Sequence, residues 1–237
     1  MTAPAGEPRA ASVATTAAGV SARLVVLRDR ITAAGGCPDQ VTVVAVTKGH
    51  GPEAVRAAAA AGLVDLGENY ATELLSKQAA TDSGGARPRW HFLGHVQRNK
   101  VRALAPVVDL WQGVDRLAAG SEIARRAPGA QVLVQINVSG EHGKNGCPAD
   151  NGPALVGDLR ALGLDVIGLM AVGPSGPAEN ARSGFRRLAA MAADLGLGVR
   201  SMGMTDDLEV AVGEGATMVR IGRGLFGPRP EPPDLRR

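Results

Sequence analysis

Apolar runs and amphipathic stretches alternate along most of this chain. Eight short runs rich in Val, Ile and Leu recur between residues 41 and 221. Several of them are continuous, which is typical of strands covered on both faces of a parallel sheet. The predicted strands are Val41–Thr47, Leu63–Leu66, Trp90–Leu93, Val107–Gln112, Gln131–Val138, Val166–Val172, Val199–Met202 and Met218–Ile221.

The segments between these runs carry helix signals. Pro52 and Glu53 begin a helical stretch that Gly62 ends. Thr205 is a good N-cap, because two acidic residues follow it in the first turn. The predicted helices between strands are Glu53–Ala61, Ala71–Ala80, Gln97–Leu104, Asp115–Arg126, Pro148–Leu162, Ala178–Leu195 and Asp206–Val212.

This alternation favours right-handed βαβ units arranged as a (β/α)8 TIM barrel, whose usual length of ~250 residues is close to the 237 residues here. Because only seven helices separate the eight strands, we predict that a helix over Ser21–Ala33 covers the remaining gap. An open doubly wound sheet is the alternative. We expect a disordered lead-in over residues 1–18, one barrel domain over residues 19–229 and a tail over residues 230–237.

Composition excludes several classes of protein. A formal charge of +3 is too small to imply nucleic-acid binding by itself. No apolar run reaches the ~18 residues of a membrane span, and the first residues lack the pattern of a secretory signal, so a cytoplasmic location is expected. Cys37 and Cys147 fit neither a disulfide framework nor a CxxC metal site, and we expect no metal. The lack of a heptad pattern favours a monomer.

In barrels of this kind the chemistry lies at the C-terminal ends of the strands, and Lys48 ends the first one. Such a lysine can simply extend its stem into solvent. If its amine is partly desolvated instead, its pKa falls and it becomes a nucleophile that forms a Schiff base with an aldehyde. The position of Lys48 is compatible with both interpretations.

The last two strands offer a place for an anion. A Ser-Met-Gly segment at residues 201–203 follows the seventh strand, and Gly222-Arg223-Gly224 follows the eighth. Barrels often bind phosphate after these strands, where backbone amides and helix N-termini favour anions. Ordinary tight turns explain the same glycines equally well.

Six segments resemble the YggS/PROSC family of pyridoxal 5′-phosphate (PLP) binding proteins. They lie between residues 41 and 229 in the family's order and cover nearly the whole globular part. The segments are VAVTKGH, LGENYATELLSK, WHFLGHVQRNK, VLVQINVSGEHGKNGC, IGLMAVG and SMGMTDDLEVAVGEGATMVRIGRGLFGPR. Among them, SMGMTDD and WHFLGHVQRNK are individually quite specific.

The resemblance implies a fold like the N-terminal domain of alanine racemase, with PLP bound to Lys48 as an internal aldimine. It places Arg220 near the pyridine nitrogen, where an arginine would keep that nitrogen unprotonated and weaken the cofactor as an electron sink. Ser201, Gly203 and the amides around Gly222 would hold the phosphate. The full set of implied cofactor-binding residues is Lys48, Asn69, His91, Met170, Ser201, Gly203, Arg220, Gly222 and Arg223.

This chain departs from the family pattern at two positions. Many members have Thr or Ser where this chain has Arg223, so a hydroxyl contact to phosphate is replaced by a guanidinium or lost. The position of His95 is variable in the relatives, and we assign His95 no role.

The resemblance implies a role in intracellular PLP homeostasis: cofactor storage and delivery, with effects on amino-acid and keto-acid balance. No catalytic activity of its own is expected, and PLP-dependent apo-enzymes are candidate recipients. A weak PLP-dependent racemase is the alternative, but it needs a second base, and Tyr70 is the only tyrosine in the chain. A nucleic-acid module using the basic residues of the 97–104 helix is a distant third.

Overall fold

The computed structural model describes residues 15–81, 87–141 and 143–229. The strands are β1 (Thr42–Val46), β2 (Asp65–Glu68), β3 (Arg89–Phe92), β4 (Leu110–Val114), β5 (Gln131–Asn137), β6 (Cys147–Pro148), β7 (Asp165–Met170), β8 (Val199–Ser201) and β9 (Met218–Ile221). The helices are α1 (Ala17–Ala33), α2 (Pro52–Ala60), α3 (Ala71–Thr81), α4 (Arg98–Leu104), α5 (Leu117–Arg126), α6 (Gly152–Ala161), α7 (Arg182–Asp194), α8 (Leu208–Gly213) and α9 (Arg223–Phe226).

Eight of the strands form a closed parallel barrel. Their order is β4-β3-β2-β1-β9-β8-β7-β5, and the pairing of β4 with β5 closes the ring. The short strand β6 pairs only with the end of β5 and is an addition that the apolar pattern did not predict. The predicted (β/α)8 barrel is therefore confirmed, and the alternative of an open sheet is wrong.

The N-terminal helix covers the gap in the helical ring, as predicted. It begins at Ala17, where the Thr16 hydroxyl accepts a hydrogen bond from the Gly19 amide at 3.2 Å. Its buried positions are Val20, Leu27 and Ile31, which lie on one face. This face packs against α2, α8 and α9, so that the last strands are covered although, as far as residue 229, only the four-residue helix α9 follows β9.

Side chains on alternate strand positions build two separate cores. Trp90, Trp111 and Phe185 are fully buried in the layer between strands and helices. A smaller apolar cluster fills the barrel interior and includes Val44 and Met218. Because side chains alternate between faces along a strand, residues 46 and 48 continue the inward-facing series that includes Val44. The barrel interior therefore leads directly to Lys48.

The structure corrects two local predictions. Helix α8 begins at Leu208, and the Thr205 hydroxyl accepts a hydrogen bond from the Gly224 amide at 3.1 Å instead of capping that helix. Thr205 thus ties together the loops after β8 and β9. The predicted strand at 107–112 is displaced toward the C-terminus, because the amides of Val107 and Val108 bond to the Leu104 carbonyl and complete the end of α4.

The predicted lead-in over residues 1–18 lies outside the described residues as far as residue 14, and the predicted tail over residues 230–237 lies wholly outside them. Within the parts of the chain that the structure describes, no helix combines the length and apolar character needed to cross a membrane.

Candidate functional site

A cavity of about 700 Å³ opens at the carboxyl ends of the barrel strands. This volume lies within the range of small-molecule sites, roughly 300 to 1,000 Å³. Its walls come from the ends of β1, β7 and β9 and from the loops after β2, β3, β8 and β9. The lining residues are Val46, Lys48, His50, Asn69, Leu93, Met170, Val172, Met204, Thr205, Asp206, Arg220, Gly222, Arg223, Gly227, Pro228 and Arg229.

Lys48 is half-buried in the wall of this cavity. Burial lowers the pKa of its ammonium group below the ordinary lysine value, and the positive charge of Arg229 lowers it further. No hydrogen bond or ion pair to Lys48 is found among the described residues. A larger share of neutral amine is therefore present at a given pH than on an exposed lysine, and this amine faces open space.

The backbone on both sides of Lys48 is held by side chains of α3. The Thr47 carbonyl accepts hydrogen bonds from the Lys77 ammonium at 2.7 Å and from the His50 amide at 3.0 Å. The Gly49 amide donates to the Glu73 carboxylate at 2.8 Å. Gly49 has φ +76°, a left-handed conformation that favours glycine. The turn that presents Lys48 is thus fixed at two points.

A buried ion pair lies on the outer side of the same turn. Lys77 is 3 % exposed and pairs with Glu68, which is fully buried and also accepts from the Thr47 hydroxyl. Burial raises the pKa of Glu68, while the charge of Lys77 opposes this increase. The second carboxylate oxygen of Glu68 has no partner among the described residues.

Arg220 projects from β9 into the barrel and reaches the cavity floor. Its Nη1 donates to the carbonyl and hydroxyl oxygens of Ser201 at 2.7 and 2.8 Å, and its Nη2 donates to the Ala171 carbonyl at 2.7 Å. Burial lowers the pKa of Arg220 to about 10, so the guanidinium remains charged at neutral pH. A fixed cation therefore lies beneath the cavity.

The rim of the cavity is strongly basic. Arg223 pairs with Asp206 at 2.5 Å across the loops after β8 and β9. The side chain of Arg229 lies over Gly49, with Cδ 2.9 Å from the place that a Cβ would occupy there. The lining residues include four cationic side chains, those of Lys48, Arg220, Arg223 and Arg229, and one carboxylate, that of Asp206. This charge balance favours an anionic ligand.

The structure brings six of the nine sequence-predicted site residues to this cavity. They are Lys48, Asn69, Met170, Arg220, Gly222 and Arg223. Gly203 lies just behind it with φ +93°, and its carbonyl accepts from the Arg220 amide at 3.0 Å. A Cβ on Gly203 would lie 2.5 Å from that of Ala211, so the loop needs glycine for space as well as for conformation.

His91 and Ser201 lie one layer deeper in the barrel and are not among the lining residues. Ser201 is fully buried and donates to the Gln112 side chain at 2.7 Å. His91 is 3 % exposed and bonds to Gln112 at 2.8 Å and to Asp65 at 2.9 Å. Burial alone would raise the pKa of Asp65, but the hydrogen bonds and charges of His91 and Arg89 together outweigh it and lower that pKa.

Sequence reasoning gave no role to several residues that shape the site. His50 lines the cavity with its ring 5.5 Å from that of Phe226, and its Nδ1 has no partner among the described residues. Lys77 lies within a segment that resembles the family, and Gln112 ends a predicted strand with a polar group. A polar residue at the end of an apolar strand was the available signal for Gln112.

Comparisons with known proteins agree with this geometry. Residues 22–230 match the family described as alanine racemase, N-terminal domain. The pyridoxal phosphate homeostasis protein of Pseudomonas aeruginosa is 43% identical over 227 residues, which cover 92% of this chain and 96% of that protein. The protein of the same name from Escherichia coli strain K12 is 36% identical over 89% of this chain and 97% of its own length.

A solved structure shares the architecture. PipY of Synechococcus elongatus, solved with PLP bound, matches with a TM-score of 0.77 and 32% identity, over 88% of this chain and 100% of that one. The fold and site define a parallel α/β barrel with a basic cavity, in which one lysine has no partner among the described residues. The chain belongs to the alanine racemase N-terminal domain family and, within it, to the pyridoxal phosphate homeostasis proteins, which confirms the resemblance found in the sequence.

Proposed function

We propose that this protein binds PLP and serves PLP homeostasis, holding the cofactor through the amine of Lys48. The observation that carries the proposal is this amine, half-buried, without a described partner, and lowered in pKa within a basic cavity. When bound, PLP supplies an aldehyde that condenses reversibly with a primary amine. A neutral amine on a rigid strand end is the nucleophile that such an aldehyde requires.

The residues present fit the rest of the cofactor. Arg220 is locked by three hydrogen bonds and presents a fixed cation at the cavity floor, where it would face the pyridine ring. Gly222 leaves the backbone at the end of β9 open to a phosphate, and Arg223 lies beside it at the rim. Asn69 and Met170 complete the lining. Arg223 would share its charge between the phosphate and Asp206.

The proposal does not include catalysis by this chain. A racemase needs a base on each face of its substrate. Tyr70 is 60% exposed and lines a neighbouring cavity of about 400 Å³, not the cavity that contains Lys48. Storage and delivery need only reversible binding, which one amine provides. We extend the proposal in three respects. PLP-dependent apo-enzymes receive the cofactor from this protein, and the exchange takes place in the cytoplasm. Residues 19–229 act as one unit.

A visible spectrum tests the proposal. The purified protein mixed with PLP is expected to show an absorbance band at a different wavelength from that of free PLP. This band should disappear on reduction with borohydride. Lys48→Ala should lose this band, whereas Lys144→Ala, a lysine paired with Glu141, should keep it. A wild type whose spectrum matches free PLP at all concentrations, or a band that Lys48→Ala retains, would overturn the proposal.

A further inference from the structure

Five buried side chains form one continuous series of hydrogen bonds across the barrel interior. They come from β9, β8, β4, β3 and β2 in turn, and they are Arg220, Ser201, Gln112, His91 and Asp65. Successive distances along the series are 2.8, 2.7, 2.8 and 2.9 Å. Each of the five residues is at most 6% exposed. The series links the cation at the cavity floor to a carboxylate deep in the barrel.

The chemistry of its first member fixes the direction of the whole series. A guanidinium has N–H donors and no acceptor, so the Ser201 hydroxyl oxygen must accept from Arg220. The hydroxyl hydrogen is then free to point at the next group, and Ser201 donates it to Oε1 of Gln112. The amide nitrogen of Gln112 must therefore face the other way.

That nitrogen carries two hydrogens, and both are used. Nε2 of Gln112 lies 2.8 Å from Nδ1 of His91 and 3.1 Å from Sδ of Met218. Nδ1 of His91 is consequently an acceptor, and the ring proton lies on Nε2, which donates to Asp65 at 2.9 Å. Asp65 also accepts from Arg89 at 2.7 Å. Every donor in the series points from Arg220 toward Asp65.

We propose that His91, Gln112 and Ser201 are positioning residues that orient Arg220 toward the cavity, and that this requires a neutral His91 protonated on Nε2. A second proton on Nδ1 would set two N–H donors against each other at Gln112. If Gln112 turned over to relieve this, its oxygen would face Sδ of Met218, which has no hydrogen to donate, and the hydroxyl hydrogen of Ser201 would lose its acceptor. All donors of the series therefore meet acceptors in one protonation pattern only.

This inference rests on the proposed function only for its link to PLP, because the hydrogen-bond series exists in the protein without a ligand. It gives His91 and Ser201 a role that does not need direct contact with the cofactor. Without the Ser201 hydroxyl, Arg220 would be held only by its hydrogen bonds to the carbonyl oxygens of Ala171 and Ser201. The hydroxyl supplies the third point and fixes the plane of the guanidinium.

Nitrogen NMR of the histidine rings in the ligand-free protein tests the series directly. The chain has four histidines, and His91→Phe assigns the relevant signals. The wild type is expected to show His91 as the neutral Nε2–H form. In Gln112→Glu, a carboxylate replaces the amide donor, so His91 should take up a second proton and give the signals of the cation. A wild-type His91 that is cationic, or protonated on Nδ1, would overturn the proposal.

The link to the cavity is tested by PLP titration. Ser201→Ala removes the group next to Arg220 and should weaken PLP binding about tenfold and move the wavelength of the bound band. The matched control is Thr217→Val, which removes a hydroxyl near the same strands that bonds to the Arg200 amide at 2.9 Å and lies outside the series. Equal behaviour of the two variants would contradict a positioning role.

Two further comparisons cover a variant that does not fold and a protein that does not bind PLP. If Ser201→Ala fails to fold, the nearly isosteric Gln112→Glu variant replaces it in the titration and should show the same change in wavelength. An unchanged wavelength in that variant counts against the proposal. If wild type gives the expected His91 signals but no PLP band, the proposed function fails while the hydrogen-bond series stands.

Discussion

Two lysines on opposite faces of one turn differ in burial and pairing, and we propose that this difference separates a structural lysine from a reactive one. Lys77 is 3% exposed and contacts Thr47, Glu68 and Glu73. Lys48 is half-buried and has no hydrogen bond or ion pair with any described residue. Lys77 holds the backbone of the turn that follows β1, and Lys48 projects from this turn into the cavity.

The difference follows from the cost of burying a charge. An ammonium that gains nearby carboxylates keeps its proton and is unreactive toward aldehydes. An ammonium that loses water without gaining a partner is destabilised relative to the neutral amine, and its pKa falls. Lys77 is paired with the carboxylates of Glu68 and Glu73, whereas Lys48, for which we propose the reactive role, has no such partner among the described residues.

The largest expected effect separates the two lysines by stability. Lys77→Met leaves the carboxylate of Glu68 buried without its cation, which should lower the free energy of unfolding by about 3 to 5 kcal/mol. Lys48→Met removes an unpaired, half-buried charge and should change it by less than about 1 kcal/mol. Urea denaturation of both variants measures this contrast. Similar losses in the two would show that Lys77 is not the structural lysine.

The next effect concerns the turn between them. Gly49→Ala forces a left-handed conformation on a residue with a Cβ and should cost about 1 to 2 kcal/mol. The neighbouring Gly51 has φ −81°, so Gly51→Ala is a control without that backbone strain, in which a Cβ displaces only the flexible carboxylate end of Glu53. We also expect weaker PLP binding in Gly49→Ala, because Lys48 is displaced. An alanine at position 49 that costs no more than one at position 51 would contradict this account of the turn.

How far the sequence predicts these features depends on whether they are local. Continuous apolar runs predicted the eight barrel strands, and the end of the first one placed Lys48 correctly at the cavity. The contact of Lys77 with Glu68 depends on the orientation of α3 about its own axis where it packs on β1 and β2. The pattern of apolar residues along the chain does not determine this orientation. The same limit explains Thr205, whose partner Gly224 comes from a different loop.

The sequence also does not predict how deep a side chain lies within the barrel. Alternation along a strand places His91 and Ser201 on the inner face, but the stagger between neighbouring strands decides which layer they occupy. In the structure, His91 is level with Gly67 and Leu110, below the cavity. Neither the period of the apolar residues nor the lengths of the strands predict that stagger.

A smaller effect concerns pH. Because burial lowers the pKa of Lys48, its amine loses its proton at lower pH than an exposed lysine, and covalent PLP binding should increase with pH over a range below the ordinary lysine value. The rate of PLP incorporation at a series of pH values, compared with the exposed Lys100 in a Lys48→Ala background, measures the difference. Parallel pH profiles would mean that Lys48 is not desolvated.

The smallest expected effect belongs to Arg229. Its positive charge is the second cause of the lowered pKa of Lys48, after burial. Arg229→Gln should therefore raise that pKa slightly and shift the pH profile of PLP incorporation upward by a fraction of a pH unit. Arg126→Gln, which removes a cation paired with Glu122 on α5, is the control. A shift to lower pH would contradict the sign of this interaction.

The most direct test of the central claim is a peptide map of the protein after incubation with PLP and reduction with borohydride. The chain contains four lysines, Lys48, Lys77, Lys100 and Lys144, and mass spectrometry distinguishes the peptides that carry them. At one equivalent of PLP we expect label on Lys48 and none on Lys77. Label spread over the exposed lysines, with Lys48 unmodified, would contradict it.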